Sequence, residues 1–169
     1  MERNDRAAYG HIWEGEPDVR RSGAVYAKWI ARARDEGRVC AVPYDSSCEV
    51  FTAWDLGYRD DTAIWWFQVI SGEVRCIDFH AVSGANISTI AQTVIEKPYE
   101  YGKHYLPHDA RAKSLQTGKS IVEQLADYLS FSRLVVVPNI GVQDGIQAVR
   151  KMLPRTWFNS VRCADGIEA

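Results

Sequence analysis

The chain contains no Cys-x-x-Cys pair: its four cysteines, Cys40, Cys48, Cys76 and Cys163, are scattered. That spacing argues against a zinc site and leaves reduced thiols in a cytoplasmic setting as the default. Excess positive charge is lacking too. Twenty Lys and Arg against 22 Asp and Glu give a net charge of −2, whereas nucleic-acid-binding domains are usually basic. The balance does not exclude such a partner, because a carboxylate-rich catalytic face lowers the net charge while arginines elsewhere hold phosphates. No signal-peptide pattern and no membrane-spanning apolar run occur, so a soluble protein not exported by that route is expected. Internal repeats and low-complexity segments are absent as well.

What the chain does have is apolar bulk. Hydrophobic residues make up 46% of its 169 positions, with six Trp and eight Tyr, enough for one domain with a real core. Residues 1–21 are polar apart from a short patch at Tyr9 to Trp13 and read as an arm or linker; the domain proper covers 22–169. Val25, Tyr26, Trp29, Ile30 and Ala33 share one helical face, with Ser22 as N-cap and Gly37 as stop.

A β-meander follows, with strands at Val50 to Leu56, Thr62 to Ile70 and Glu73 to Ala81. Ser71-Gly72 forms a two-residue hairpin turn between the last two. A helix from Ile87 to Glu96 then crosses to a strand at Lys103 to Leu106. A second helix, Lys119 to Leu129, leads to a fifth strand in Leu134 to Val137, an apolar run of the kind covered on both faces. A last helix, Val142 to Leu153, precedes a short ambiguous tail. Right-handed crossovers place the fourth and fifth strands parallel to the first. The expected fold is therefore α/β: a mixed five-stranded sheet, three antiparallel strands then two parallel, flanked by helices.

On that topology Asp55 and Asp109 are neighbours, each at the point where a strand runs out into a loop. Oxygen-rich pockets of this kind suit Mg²⁺ or Mn²⁺, and two such ions clamp the attacking and leaving oxygens of a phosphodiester. In Asp55-Leu56-Gly57-Tyr58-Arg59-Asp60-Asp61, Gly57 lets the backbone turn closely and Asp61 returns a second carboxylate. Alone, the segment reads more readily as an Asp-rich turn. Leu106-Pro107-His108-Asp109-Ala110 adds weight, because Pro107 cannot donate in a ladder and marks the strand's end. His108 or His104 is a candidate phosphate contact or outer-shell group. Asp78 reads as a solvated or hydrogen-bonded polar residue, with His80 on its face and Ile77 and Phe79 on the other. One of Trp65 and Trp66 is expected in the core.

Gln116-Thr117-Gly118-Lys119-Ser120 imitates the end of a P-loop, but Lys113 occupies the position of its first glycine and no strand directly precedes it. ATP hydrolysis is not expected. Arg111, Lys113 and Lys119 remain candidates to grip DNA phosphates beside the site.

Trp54-Asp55-Leu56-Gly57, Asp61-Thr62-Ala63-Ile64 and Leu106-Pro107-His108-Asp109, in this order, resemble the C-terminal nuclease domain of the large terminase subunit of tailed bacteriophages. His11-Ile12-Trp13-Glu14-Gly15-Glu16, Asp144-Gly145-Ile146 with Arg150, and Cys163-Ala164-Asp165-Gly166-Ile167-Glu168-Ala169 extend the resemblance over nearly the whole chain. It implies an RNase H-like fold and metal-dependent endonuclease cleavage of DNA during packaging. Asp55 and Asp109 match the family's first two metal aspartates, and Asp61 an accessory acidic position, with two Mg²⁺ or Mn²⁺ ions in the complete domain. Arg59, Arg111, Lys113, Lys119 and His108 become candidate DNA contacts. Double-stranded DNA, the phage portal and the small terminase subunit are the implied partners, and the cytoplasm of an infected bacterium the implied location.

The family's third metal aspartate lies on a helix downstream of the Gly-Ile-Glu-Ala motif, and an ATPase domain precedes its nuclease. Neither is in this sequence, so the resemblance implies an excerpt, incomplete at its C-terminus. Asp78 and Asp165 are the first candidates for a substitute ligand. A non-catalytic remnant that binds DNA or portal, and an RNase H-like recombination nuclease, are the alternatives.

Overall fold

The computed structural model describes residues 25–57, 61–114 and 117–168. The arm and the Ser22 cap expected from the sequence lie outside these residues, as does Arg59. The first helix, α1 (Ala27–Asp35), ends in Glu36 and Gly37, whose positive φ of 72° supplies the expected stop.

The strands are β1 (Val39–Cys40), β2 (Val50–Asp55), β3 (Thr62–Ile70), β4 (Glu73–Val82), β5 (Tyr101–Leu106), β6 (Leu134–Val136) and β7 (Thr156–Asn159). The helices are α2 (Ile87–Ile95), α3 (Ile121–Leu125), α4 (Val142–Met152) and α5 (Ala164–Glu168). One sheet holds all seven described strands in the order β1-β7-β4-β3-β2-β5-β6. Pairing is antiparallel on both sides of β3 and parallel everywhere else, so β3 alone runs against its companions. The inner part, β4-β3-β2-β5-β6, is the five-stranded arrangement read from the sequence.

Two corrections enlarge that reading. The sheet has seven strands, not five: the tail supplies β7, which pairs parallel with β4 and with β1. The expected doubly covered fifth strand is instead the edge strand β6, half-buried throughout. The Ser71-Gly72 turn is as expected, with φ of 52° and 81°, the positive pair that matches the twist of a tight hairpin.

Strand alternation sorts side chains onto two faces. One face carries Trp54, Ile64, Trp66 and Leu106 and packs against Ile90, Ala91 and Val94 of α2 and Leu125 of α3. The other carries Val74, Cys76 and Phe158 and packs against Trp29 and Ile30 of α1 and Ile167 of α5. A β-bulge in β4 faces Trp66 and Phe67. It breaks the alternation, so Ile77 joins the first core and Phe79 the second instead of sharing a face.

Candidate metal and nucleic-acid site

Asp55 is the last residue of β2, and the parallel pairing of Ala53 with Tyr105 sets it level with the end of β5. There Pro107, extended at φ −64° and ψ 159°, stops the ladder, and a single 3-10 turn follows at His108–Arg111. Ala110 is fully buried and anchors that turn, while His108 and Asp109 on it are exposed. Asp61 immediately precedes β3, whose Ala63 pairs with Asp55. Three exposed carboxylates thus belong to one end of the sheet.

No hydrogen bond or ion pair among the described residues uses the carboxylate of Asp55, Asp61 or Asp109. Equally, no group of three or more His, Cys, Asp or Glu side chains among the described residues is arranged to hold a metal ion. The fold brings the two expected aspartates to adjacent strand ends without closing a three-ligand cage around them.

His104 is a correction. Its ring is 1% exposed, with Nδ1 sharing a 2.8 Å hydrogen bond with Thr52 Oγ1, which also accepts from Trp54 Nε1 at 2.6 Å. These three side chains line the face opposite Asp55. Burial, with a smaller contribution from Arg133, pushes the imidazole down to about 4. It is a neutral core residue, not a phosphate contact.

Asp78 is engaged as well. It is buried, accepts from Lys97 Nζ and from the Tyr99 hydroxyl at 3.1 Å, and binds the Phe79 amide at 2.9 Å. Arg162 donates to the same Tyr99 hydroxyl, so the network ties the approach to β5 to β4 and to the turn after β7. Tyr99 is pushed up to about 12, first by burial and then by the Asp78 charge. Asp165 is exposed on α5. Neither aspartate joins the strand-end group.

Among the candidate DNA contacts, His108, Arg111 and Lys113 are exposed along the turn that carries Asp109. Lys119 is bridged to Asp127 at 3.0 Å, which raises its ammonium pKa. The P-loop imitation dissolves here. Ser120 accepts from the Glu123 amide, and Glu123 returns a bond to the Ser120 amide, making a capping box for α3. That box starts α3 two residues later than expected, and the helix ends at Leu125. Periodicity did not single out Phe131, which borders a cleft of about 330 Å³ beside Arg111 and Lys113; its exposure of 69% is a tertiary property.

No protein-family model matches this chain, and no curated protein sequence does either. Solved structures do. The large terminase of a thermophilic bacteriophage superposes with a TM-score of 0.57 at 13% identity, over 77% of this chain and 32% of that one. This chain therefore spans about a third of that protein. The nuclease domain of the P22 large terminase gives a TM-score of 0.54 at 16% identity, covering 73% of this chain and 69% of its own. The large-terminase nuclease domain of bacteriophage SPP1, solved with bound Mn, gives 0.53 at 15%, covering 71% and 67%. At such identities the likeness is one of fold: this chain has the RNase H-like α/β architecture of the large-terminase nuclease domains.

Proposed function

We propose that this chain is the nuclease part of a phage DNA-packaging terminase and hydrolyses DNA with divalent cations held by Asp55 and Asp109. One observation carries the reading: the parallel register of β2 and β5 sets the strand end that bears Asp55 beside the strand end from which the Asp109 turn leaves. The shared fold supports it. The donor set fits Mg²⁺ or Mn²⁺, being hard oxygen without thiol or imidazole. When bound, two such ions stabilise the attacking and leaving oxygens of a phosphodiester.

The chain's own residues do the holding. Asp55 offers its oxygens from a strand paired on both sides, and Asp109 from a turn pinned by buried Ala110. Asp61 completes or tunes the pair. Arg59, Arg111, Lys113, Lys119 and His108 hold the DNA backbone, a sequence-independent and salt-sensitive role. The portal and the small subunit are the further partners this reading implies, in the cytoplasm of the infected host.

A plasmid-nicking assay with Mn²⁺ tests it. The wild type is expected to nick slowly, and Asp55→Asn and Asp109→Asn to lose roughly 100-fold or more, the scale on which losing one fixed charge-stabilising group acts. Variants that nick as fast as the wild type would sink the assignment. A second reading, a remnant that binds DNA or portal without cutting, is favoured by the lack of a three-ligand group among the described residues. It predicts no cutting by the wild type under any divalent cation, with DNA binding intact.

A further inference from the structure

The cleft between the His108–Arg111 turn, α3 and β6 has a volume of about 330 Å³, at the small-ligand end of the range for binding pockets. Its apolar lining includes Leu134 and Val136, both half-buried. Arg111 and Lys113 also line it, and neither is spent in an ion pair among the described residues. Glu123 is the opposing charge. Its carboxylate is committed to the Ser120 amide at 2.7 Å, which, with the Ser120 hydroxyl, holds its pKa below the usual range. Lys113 is near enough to assist, so Arg111 is the cation left for a ligand.

Phe131 borders the same cleft, 69% exposed and with no ring partner among the described residues. Leaving a phenyl ring in water forgoes stabilisation that burial supplies elsewhere. The ring is also held on a firm base. Its 3-10 turn, Phe131–Arg133, is closed by Arg133 N to Ser130 O at 2.9 Å and tied to β5 by Lys103 Nζ on Ser132 O at 2.8 Å. Apolar lining from Val122, Leu134 and Val136, an aromatic ring without a ring partner among the described residues and a cation in the same cleft match a planar base joined to a phosphate. An acidic peptide would use the cation and leave the ring idle.

Position selects which nucleotide. Val136 pairs with Leu106, three residues before Asp109, and β6 spans roughly 10 Å over its three residues. Phe131 precedes its amino end, so the cleft leads away from the strand-end carboxylates.

We propose that this cleft binds one unstacked nucleotide of the DNA strand next to the cut, with its phosphate on Arg111 and its base against Phe131. The proposal rests on the nuclease reading for the place of the cut, and its test does not require cutting. The whole chain in EDTA is titrated with a single-stranded oligonucleotide carrying 2-aminopurine, whose fluorescence is quenched by stacking. Wild type is expected to quench the probe. Phe131→Ala should lose the quenching and bind roughly 5- to 150-fold more weakly, the range for losing one base–aromatic stack, with an unchanged melting curve. Phe131→Trp should restore both. Arg111→Ala should keep the quenching at saturation but lower the salt slope of log K by about 0.7.

Phe131→Ala binding and quenching like the wild type would overturn the subsite. Plasmid nicking run in parallel separates the two ideas. A chain that cuts but is indifferent at Phe131 loses only the subsite. A chain that quenches through Phe131 but never cuts loses only the nuclease reading.

Discussion

His104 carries a titratable ring into the interior of the sheet, and that has a measurable consequence. Its folded pKa of about 4 lies below the usual 6.5, so the unfolded chain binds the proton first. The stability it contributes is complete above pH 6.5 and is lost as pH falls towards 4. Over that window the loss should approach roughly 3 kcal/mol. His104→Gln removes the titration and should flatten the melting temperature between pH 6.5 and 4, whatever it does to the absolute value. If wild type and variant lose stability equally over that range, burial of His104 is not the cause. Its place was not legible: a histidine near a strand end reads as a phosphate contact, whereas, two residues before Leu106, it shares that residue's buried face. Asp55 was legible, alternating with Trp54 onto the outward face. Ile77 was not, because the bulge opposite Trp66 and Phe67 adds a residue that no alternation announces.

The inner strands announced themselves through β-branched and aromatic runs bounded by turns, whereas β1 and β7 did not. Each is short, and β1 is a strand only because β7 lies beside it. Their junction depends on Arg38, 6% exposed, whose Nη1 donates to Leu153 O at 2.8 Å and Thr156 O at 2.7 Å. An arginine just after a helix stop reads as surface charge, so sequence pattern concealed this buried clamp. Arg38→Ala leaves two carbonyls without their donor and should cost roughly 2–4 kcal/mol in urea unfolding. A loss under about 0.5 kcal/mol would mean that the β1–β7 edge stands without it. α5 shows the same limit of pattern reading. A Cβ on Gly166 would lie 2.6 Å from Trp65 Cζ2 and 2.7 Å from Phe79, so this glycine seats the helix directly on the aromatic pair, a contact between residues far apart in the chain.

Across the whole molecule, the expected adjacency of the two aspartate-bearing strands followed from chain order and crossover handedness alone, and the register of β2 and β5 bears it out. Ligand closure did not follow, since it depends on side-chain positions that strand order leaves free. The net charge of −2 averages exposed carboxylates at one sheet end with exposed cations on the turn beside them, so it does not describe either patch. On the proposed reading, Asp55 and Asp109 share a divalent cation in the folded chain. The most direct test is the melting temperature of wild type, Asp55→Asn and Asp109→Asn with and without Mn²⁺. At a concentration 100-fold above Kd, binding to the folded state adds about 2.7 kcal/mol, or roughly 5–10 °C for a chain of this size. The wild type should show that rise and both variants should lose it; equal shifts in all three proteins would place the cation elsewhere.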